Sequence, residues 1–219
     1  HHRPDADVLL YERSSQLSRR HTWSFHGHDV PAASWAWLRP LISHSWEGYR
    51  VKFPGFEREF STSYHSIRAE DLAKQIEEKY SSSLRLAQEA PAGSLRATGW
   101  PALQSGAEVG YQKFWGLHVR TEKPHGLTTP LLMDATVNQE DGYRFFYLLP
   151  WSSHELLAED TYYADGANLS ADSIRGEILN YLAKNNFGPL EILGEESGAL
   201  DSMLEKVATA SGFIAALDQ

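Results

Sequence analysis

The sequence predicts an α+β fold, a partial dinucleotide-binding element joined to a mostly antiparallel sheet, on three observations. An apolar run near the start ends in an acid, two later stretches repeat apolar residues at helical spacing, and four strand-like segments separated by turn residues lie between those helices. Asp7-Val8-Leu9-Leu10-Tyr11-Glu12 reads as a short buried strand followed by a loop from Arg13 to Arg20. In a dinucleotide-binding unit, an acid at this position accepts hydrogen bonds from ribose hydroxyls, which makes Glu12 a candidate cofactor-binding residue. No Gly-x-Gly-x-x-Gly fingerprint precedes it in the 219 residues, and the plainer reading of Glu12 is a solvated strand-end acid.

From Arg68 to Tyr80 the spacing places Ala69, Leu72, Ala73, Ile76 and Tyr80 on one face of a helix, with Glu70, Asp71, Lys74, Glu77 and Glu78 elsewhere. A second helix is expected from about Ser170 to Asn185, with Ile174, Ile178, Tyr181 and Leu182 inward and Gly188-Pro189 just past its end. The stretches Tyr111–Arg120, Pro130–Val137, Tyr143–Leu149 and His154–Tyr163 are rich in aromatic and aliphatic residues. Turn signals at Pro124-His125-Gly126, Asp141-Gly142 and Pro150-Trp151-Ser152-Ser153 separate them, so they are expected to form one antiparallel meander. Arg144-Phe145-Phe146-Tyr147-Leu148-Leu149 carries apolar groups on both faces, as in a sheet covered on both sides or lining a cavity for an apolar ligand. Thr98 to Gly106 reads as disjointed. The expected organisation is a partial dinucleotide-binding region with a helical insertion over residues 1–105, a substrate-binding sheet domain over 106–200, and an unassigned segment over 201–219.

At 42% apolar and 12% aromatic content the chain can bury a real core. A net charge of −9 without a basic cluster argues against a nucleic-acid partner. The absence of cysteine excludes disulfides and thiolate metal sites and fits a cytoplasmic protein. Apolar runs such as Phe145–Leu149 are far shorter than the roughly 20 residues that span a bilayer, and His1-His2-Arg3-Pro4-Asp5 does not resemble a signal peptide.

Glu159 and Asp160 lie in Leu156-Leu157-Ala158-Glu159-Asp160-Thr161-Tyr162-Tyr163, an otherwise apolar and aromatic strand. Strand alternation sends one acid to each face, and a carboxyl held among aromatics has a raised pKa, which makes it a proton donor near neutral pH. The competing reading is an edge-strand acid facing water. Asp134, isolated in Leu131-Leu132-Met133-Asp134-Ala135-Thr136-Val137, reads equally as a catalytic support and as a turn-bonding side chain. His21, His26 and His28 have no spacing typical of metal ligands, and a Gly-x-Ser-x-Gly elbow is absent, so neither a metal site nor a serine hydrolase is expected.

Several stretches together resemble the bacterial lycopene β-cyclase family of carotenoid biosynthesis. They are His21-Thr22-Trp23-Ser24-Phe25-His26, Tyr49-Arg50-Val51-Lys52-Phe53-Pro54, and the long block Pro124 to Val137 continuing through Gly142-Tyr143-Arg144-Phe145 to Glu159-Asp160-Thr161. Gly110-Tyr111-Gln112-Lys113-Phe114 and Glu195-Glu196-Ser197-Gly198-Ala199-Leu200 extend the similarity. The resemblance implies an FAD-binding fold like that of flavin hydroxylases and an acid-catalysed, non-redox closure of lycopene end groups to β-rings, giving γ-carotene and β-carotene. It implies FAD in its reduced form with NAD(P)H as reductant, and an essential acid pair at Glu159-Asp160. Trp23, Phe25, Tyr143, Phe145, Tyr147, Tyr162 and Tyr163 are the candidate aromatics for stabilising the substrate's cations; most aromatics in a sheet fill the core, and two or three of these are expected to touch the substrate. A water-insoluble substrate adds the expectation of a peripheral position on the membrane surface. The rival expectations are a flavin hydroxylase or isoprenoid reductase on the same fold, and a non-catalytic carotenoid carrier.

Overall fold

The computed structural model describes residues 7–17, 21–95, 97, 110–168 and 170–202. The reading of Thr98–Gly106, and all of the C-terminal segment beyond Ser202, lie outside the described residues. The chain divides into two compact units: residues 1–50, 58–101 and 128–130, and residues 51–57, 102–127 and 131–219.

In the first unit, β1 (Leu10–Glu12) and β7 (Leu84–Leu86) form a parallel pair, with Leu10 opposite Leu84 and Glu12 opposite Leu86. This strand is shorter than Asp7–Glu12 and is not buried: Val8 and Leu9 are exposed at 68% and 48%. Its pairing partner among the described residues is β7 alone, and a two-stranded ribbon leaves most of its apolar surface in water. A second sheet has the order β2-β6-β3, built from β2 (Thr22–His26), β3 (His44–Trp46) and β6 (Tyr64–Arg68), all antiparallel neighbours. Between β2 and β3 lies the short helix α1 (Trp35–Leu38). β4 (Tyr49–Phe53) and β5 (Phe56–Phe60) form a hairpin whose tip, residues 51–57, belongs to the second unit. Helix α2 (Ala69–Tyr80) follows β6 directly, with Glu70 and Asp71 in its first turn and Lys79 in its last, each favourable toward the helix dipole. Ala69 and Ala73 are its buried residues; Tyr80, expected on the inward face, is 59% exposed because it stands at the last turn.

The second unit is organised by one sheet of order β12-β8-β11-β10-β9-β4-β5. It contains β8 (Gly110–Thr121), β9 (Leu131–Asp134), β10 (Tyr143–Pro150), β11 (Glu155–Ala164) and β12 (Leu190–Ser202). All four expected strands are in this one antiparallel sheet, but the order is not a simple meander. β9, β10 and β11 follow one another, whereas β8 crosses to the far side of β11 and pairs with it from Tyr111–Ala164 to Arg120–Glu155. β12, which carries no strand signal as clear as theirs, adds to the outer edge of β8. The β9–β10 connection closes at Asp141-Gly142, both with positive φ; a Cβ at Gly142 would lie 2.1 Å from the Tyr163 carbonyl oxygen, so only glycine fits the crossing.

Helix α3 (Ala171–Lys184) lies on one face of this sheet. Its four buried residues are Ile174, Ile178, Tyr181 and Leu182, the set that the spacing points inward. They pack with Leu117, Val119, Phe146, Leu148, Leu156, Ala158 and Tyr162 into the core. The helix ends at Lys184, one residue short of the expected Asn185, and Asn186 takes the left-handed conformation at φ 64, which asparagine tolerates.

Candidate active site

Alternation along β11 places Leu156, Ala158, Asp160 and Tyr162 toward α3, and Leu157, Glu159, Thr161 and Tyr163 on the opposite face. The pairing across the sheet then defines what surrounds Glu159. Tyr147 of β10 and Gly116 of β8 are its direct partners; Phe145 and Phe114 flank Thr161, and Tyr143 and Gln112 flank Tyr163. The rings of Tyr143 and Phe145 contact that of Tyr163, with centroids 6.5 and 6.0 Å away, making a continuous aromatic surface beside the acid.

Glu159 is partly buried on the sheet face, and desolvation pushes its carboxyl up to about 8. The Thr161 hydroxyl donates to Glu159 Oε1 at 2.6 Å and opposes this rise, while the negative charges of Glu196 and Asp160 add to it. A carboxyl raised this far can hold its proton near neutral pH, where an ordinary glutamate is ionised.

Glu196 on β12 lies in the stretch Glu195–Leu200 that extends the resemblance but is not among the candidate site residues; register sets it opposite Gly116, which is itself opposite Glu159. Its side chain crosses the glycine: a Cβ at residue 116 would stand 3.1 Å from Glu196 Cγ and 2.9 Å from Leu157 Cδ1. Glu196 is 5% exposed, and its Oε2 lies 3.4 Å from Nε2 of His118, whose ring meets Trp151 edge-on at 4.9 Å. The available signal in the sequence was Gly116, a lone glycine in a strand pattern, which marks a close approach.

Asp160, though adjacent in sequence, belongs to a different environment. Arg144 grips it through two hydrogen bonds, Nε to Oδ1 at 2.9 Å and Nη2 to Oδ2 at 2.8 Å, and the Tyr162 hydroxyl donates to it at 2.9 Å. Burial raises the Asp160 carboxyl by more than Arg144 and Tyr162 pull it down, and the pair with Arg144 is buried on the α3 side of the sheet. Asp134 is on that side too: Tyr181 of α3 donates to its Oδ2 at 2.8 Å, and the Thr136 amide and hydroxyl donate to its Oδ1. The structure thus brings Tyr143, Phe145, Tyr147 and Tyr163 to the face of Glu159, and sends Asp160, Asp134 and Tyr162 to the helix face, where each is tied into the core.

Trp23 and Phe25 lie on β2 of the first unit. Trp23 is 47% exposed and its ring lies 6.3 Å from that of His21; Phe25 contacts the rings of Trp35 and His65. Nearby His26 and His28 stack at 5.3 Å, and no group of three or more metal-ligating side chains converges among the described residues. Glu12 ends β1, with its Oε1 accepting the Ser14 amide at 2.8 Å.

The arrangement of a parallel-strand element and a larger antiparallel sheet backed by a helix defines a recognised fold class. It superposes on a geranylgeranyl bacteriochlorophyll reductase-like protein from Thermoplasma acidophilum with a TM-score of 0.63 at 9% identity, over 88% of this chain and 59% of that one. At the level of sequence, the model of the lycopene cyclase protein family matches residues 1–208, and the chain belongs to that family. It is 37% identical to the lycopene beta-cyclase of Pseudescherichia vulneris over 90% of its length, and 35% identical to that of Pantoea ananas over 94%. It spans 55% and 58% of those two relatives.

Proposed function

We propose that this chain is part of a lycopene β-cyclase and that Glu159 is the acid that starts the reaction. The observation that carries the reading is a carboxyl pushed up to about 8 on a sheet face lined by Tyr143, Phe145, Tyr147 and Tyr163. Glu159 protonates the terminal carbon–carbon double bond of lycopene, the neighbouring double bond attacks the tertiary cation, and loss of a proton leaves the β-ring. No atom or electron is gained or lost, so the protein must supply and recover one proton. The aromatic faces lower the energy of the passing cations by about 0.5–2 kcal/mol each.

Glu12 fits one element of FAD recognition, since a carboxylate at the end of a parallel strand accepts ribose hydroxyls. When bound, reduced flavin would supply electron density that stabilises positive charge, with NAD(P)H serving to keep it reduced. No described helix is long and apolar enough to cross a membrane, and lycopene's insolubility supports delivery from a membrane surface on which the protein sits peripherally.

The test compares full-length Glu159→Gln and Asp160→Asn proteins in lycopene conversion, at matched folded protein and flavin content. Glu159→Gln is expected to lower turnover by on the order of 10² or more, with the fold intact. Near-normal turnover of Glu159→Gln would overturn the assignment. Product formed only with one-to-one consumption of NADPH or oxygen would move the reading to a reductase or hydroxylase, and binding of lycopene without conversion to a carrier.

A further inference from the structure

A reaction that must lend and recover one proton needs the donor to hold that proton at rest, and burial alone is one way to do so. Across the sheet from Glu159 the structure provides another. Three strands are in register at this point, Glu159 on β11, Gly116 on β8 and Glu196 on β12. The middle position has no side chain, and Glu196 fills the space it leaves. Beside it stands the His118 ring, with Nε2 3.4 Å from Glu196 Oε2 and packed edge-on against Trp151, which limits where the Glu196 side chain can go.

We propose that Glu196, laid over Gly116 and braced by His118, is a positioning residue for Glu159, its negative charge keeping the proton on Glu159 until the substrate's double bond takes it. This rests on the reading of Glu159 as the acid. A negative charge on Glu196, whose side chain lies in the space left at Gly116, disfavours ionisation of the Glu159 carboxyl in the same row. The rise in the Glu159 carboxyl, to which Glu196 contributes after burial, agrees with this.

The titratable groups facing Glu159 are His118 on β8, Tyr143 and Tyr147 on β10, Tyr163 on its own strand and Glu196 on β12; Asp160 acts through the sheet from the helix side. Burial raises the pKa of both Tyr143 and Tyr163, so those two stay neutral through the working range. Arg120, Glu155 and Glu191 form a separate ion-pair cluster at the far end of the same face, where Arg120 is exposed.

The test titrates Glu159 in the full-length protein carrying isotope-labelled glutamate, by infrared difference spectroscopy. Its protonated carboxyl band is assigned through its loss in Glu159→Gln. In Glu196→Gln the midpoint is expected to fall by about one unit or more, with the alkaline limb of the pH profile for lycopene conversion moving the same way. Glu196→Asp, which keeps the charge and shortens the reach, is expected to retain most of the wild-type midpoint. A role in shape alone predicts the reverse order, because glutamine preserves shape better than aspartate. An unchanged midpoint in folded Glu196→Gln, or a larger drop in Glu196→Asp than in Glu196→Gln, overturns the proposal. Full turnover by Glu159→Gln instead overturns the acid assignment and leaves any coupling between the two carboxyl groups standing.

Discussion

Replacing Glu159 by glutamine should change the pH dependence of stability as well as turnover. The carboxyl moves from an ordinary value of 4.5 to about 8 on folding, chiefly through burial. Below pH 4.5 the folded and unfolded chains both hold the proton. Between 4.5 and 8 only the folded chain holds it, so unfolding releases a proton and rising pH favours the unfolded state. Above 8 both forms are ionised and the cost levels off. At roughly 1.4 kcal/mol per pKa unit, the whole interval corresponds to about 5 kcal/mol, and relaxation of the charged site should reduce the measured loss to about 3–5 kcal/mol. Glu159→Gln lacks this ionisation while every other titrating group is shared, so its stability relative to wild type should climb steadily across that window. Urea denaturation of both proteins at half-unit steps from pH 4.5 to 9 measures the difference. A difference that stays constant across the series would refute the inference that Glu159 is held protonated, whatever its effect on turnover.

Asp160→Asn should destabilise the fold by about 1–3 kcal/mol, because the buried Arg144 guanidinium, at 4% side-chain exposure, loses its bidentate carboxylate and keeps Glu177 as its charged partner. Its turnover loss should follow the folded fraction measured by circular dichroism, unlike that of Glu159→Gln. Tyr181→Phe keeps the ring stacked on Phe146 at 3.9 Å but removes the donor to Asp134; a loss of about 1–3 kcal/mol in urea denaturation is expected, and no change would show that the hydrogen bond is replaced by another donor. Ile178→Ala, at a fully buried position of α3, should cost about 2–5 kcal/mol by the same measurement.

The sequence by itself determined the inward stripe of α3, because a 3.6-residue period selects Ile174, Ile178, Tyr181 and Leu182 whatever they pack against. It also determined that Glu159 and Asp160 part company, since neighbours on a strand point to opposite faces. Which of the two meets the aromatics and which meets a guanidinium is another matter. Alternation separates two sets of residues without labelling either, and the label comes from α3 covering the even-numbered residues of β11, a packing choice that the strand's own pattern does not carry. The meander expectation missed the crossing of β8 for a related reason: short turns fix neighbours only where the connection is short, and the descent from Thr121 to Leu131 leaves room for β8 to reach the other side of β11. Glu196 is the clearest case. It lies 37 positions after Glu159 and 80 after Gly116 in the numbering, and only the non-local pairing of β12 with β8 sets the three in one row, so that a strand-interior glycine becomes the space into which a second carboxylate fits.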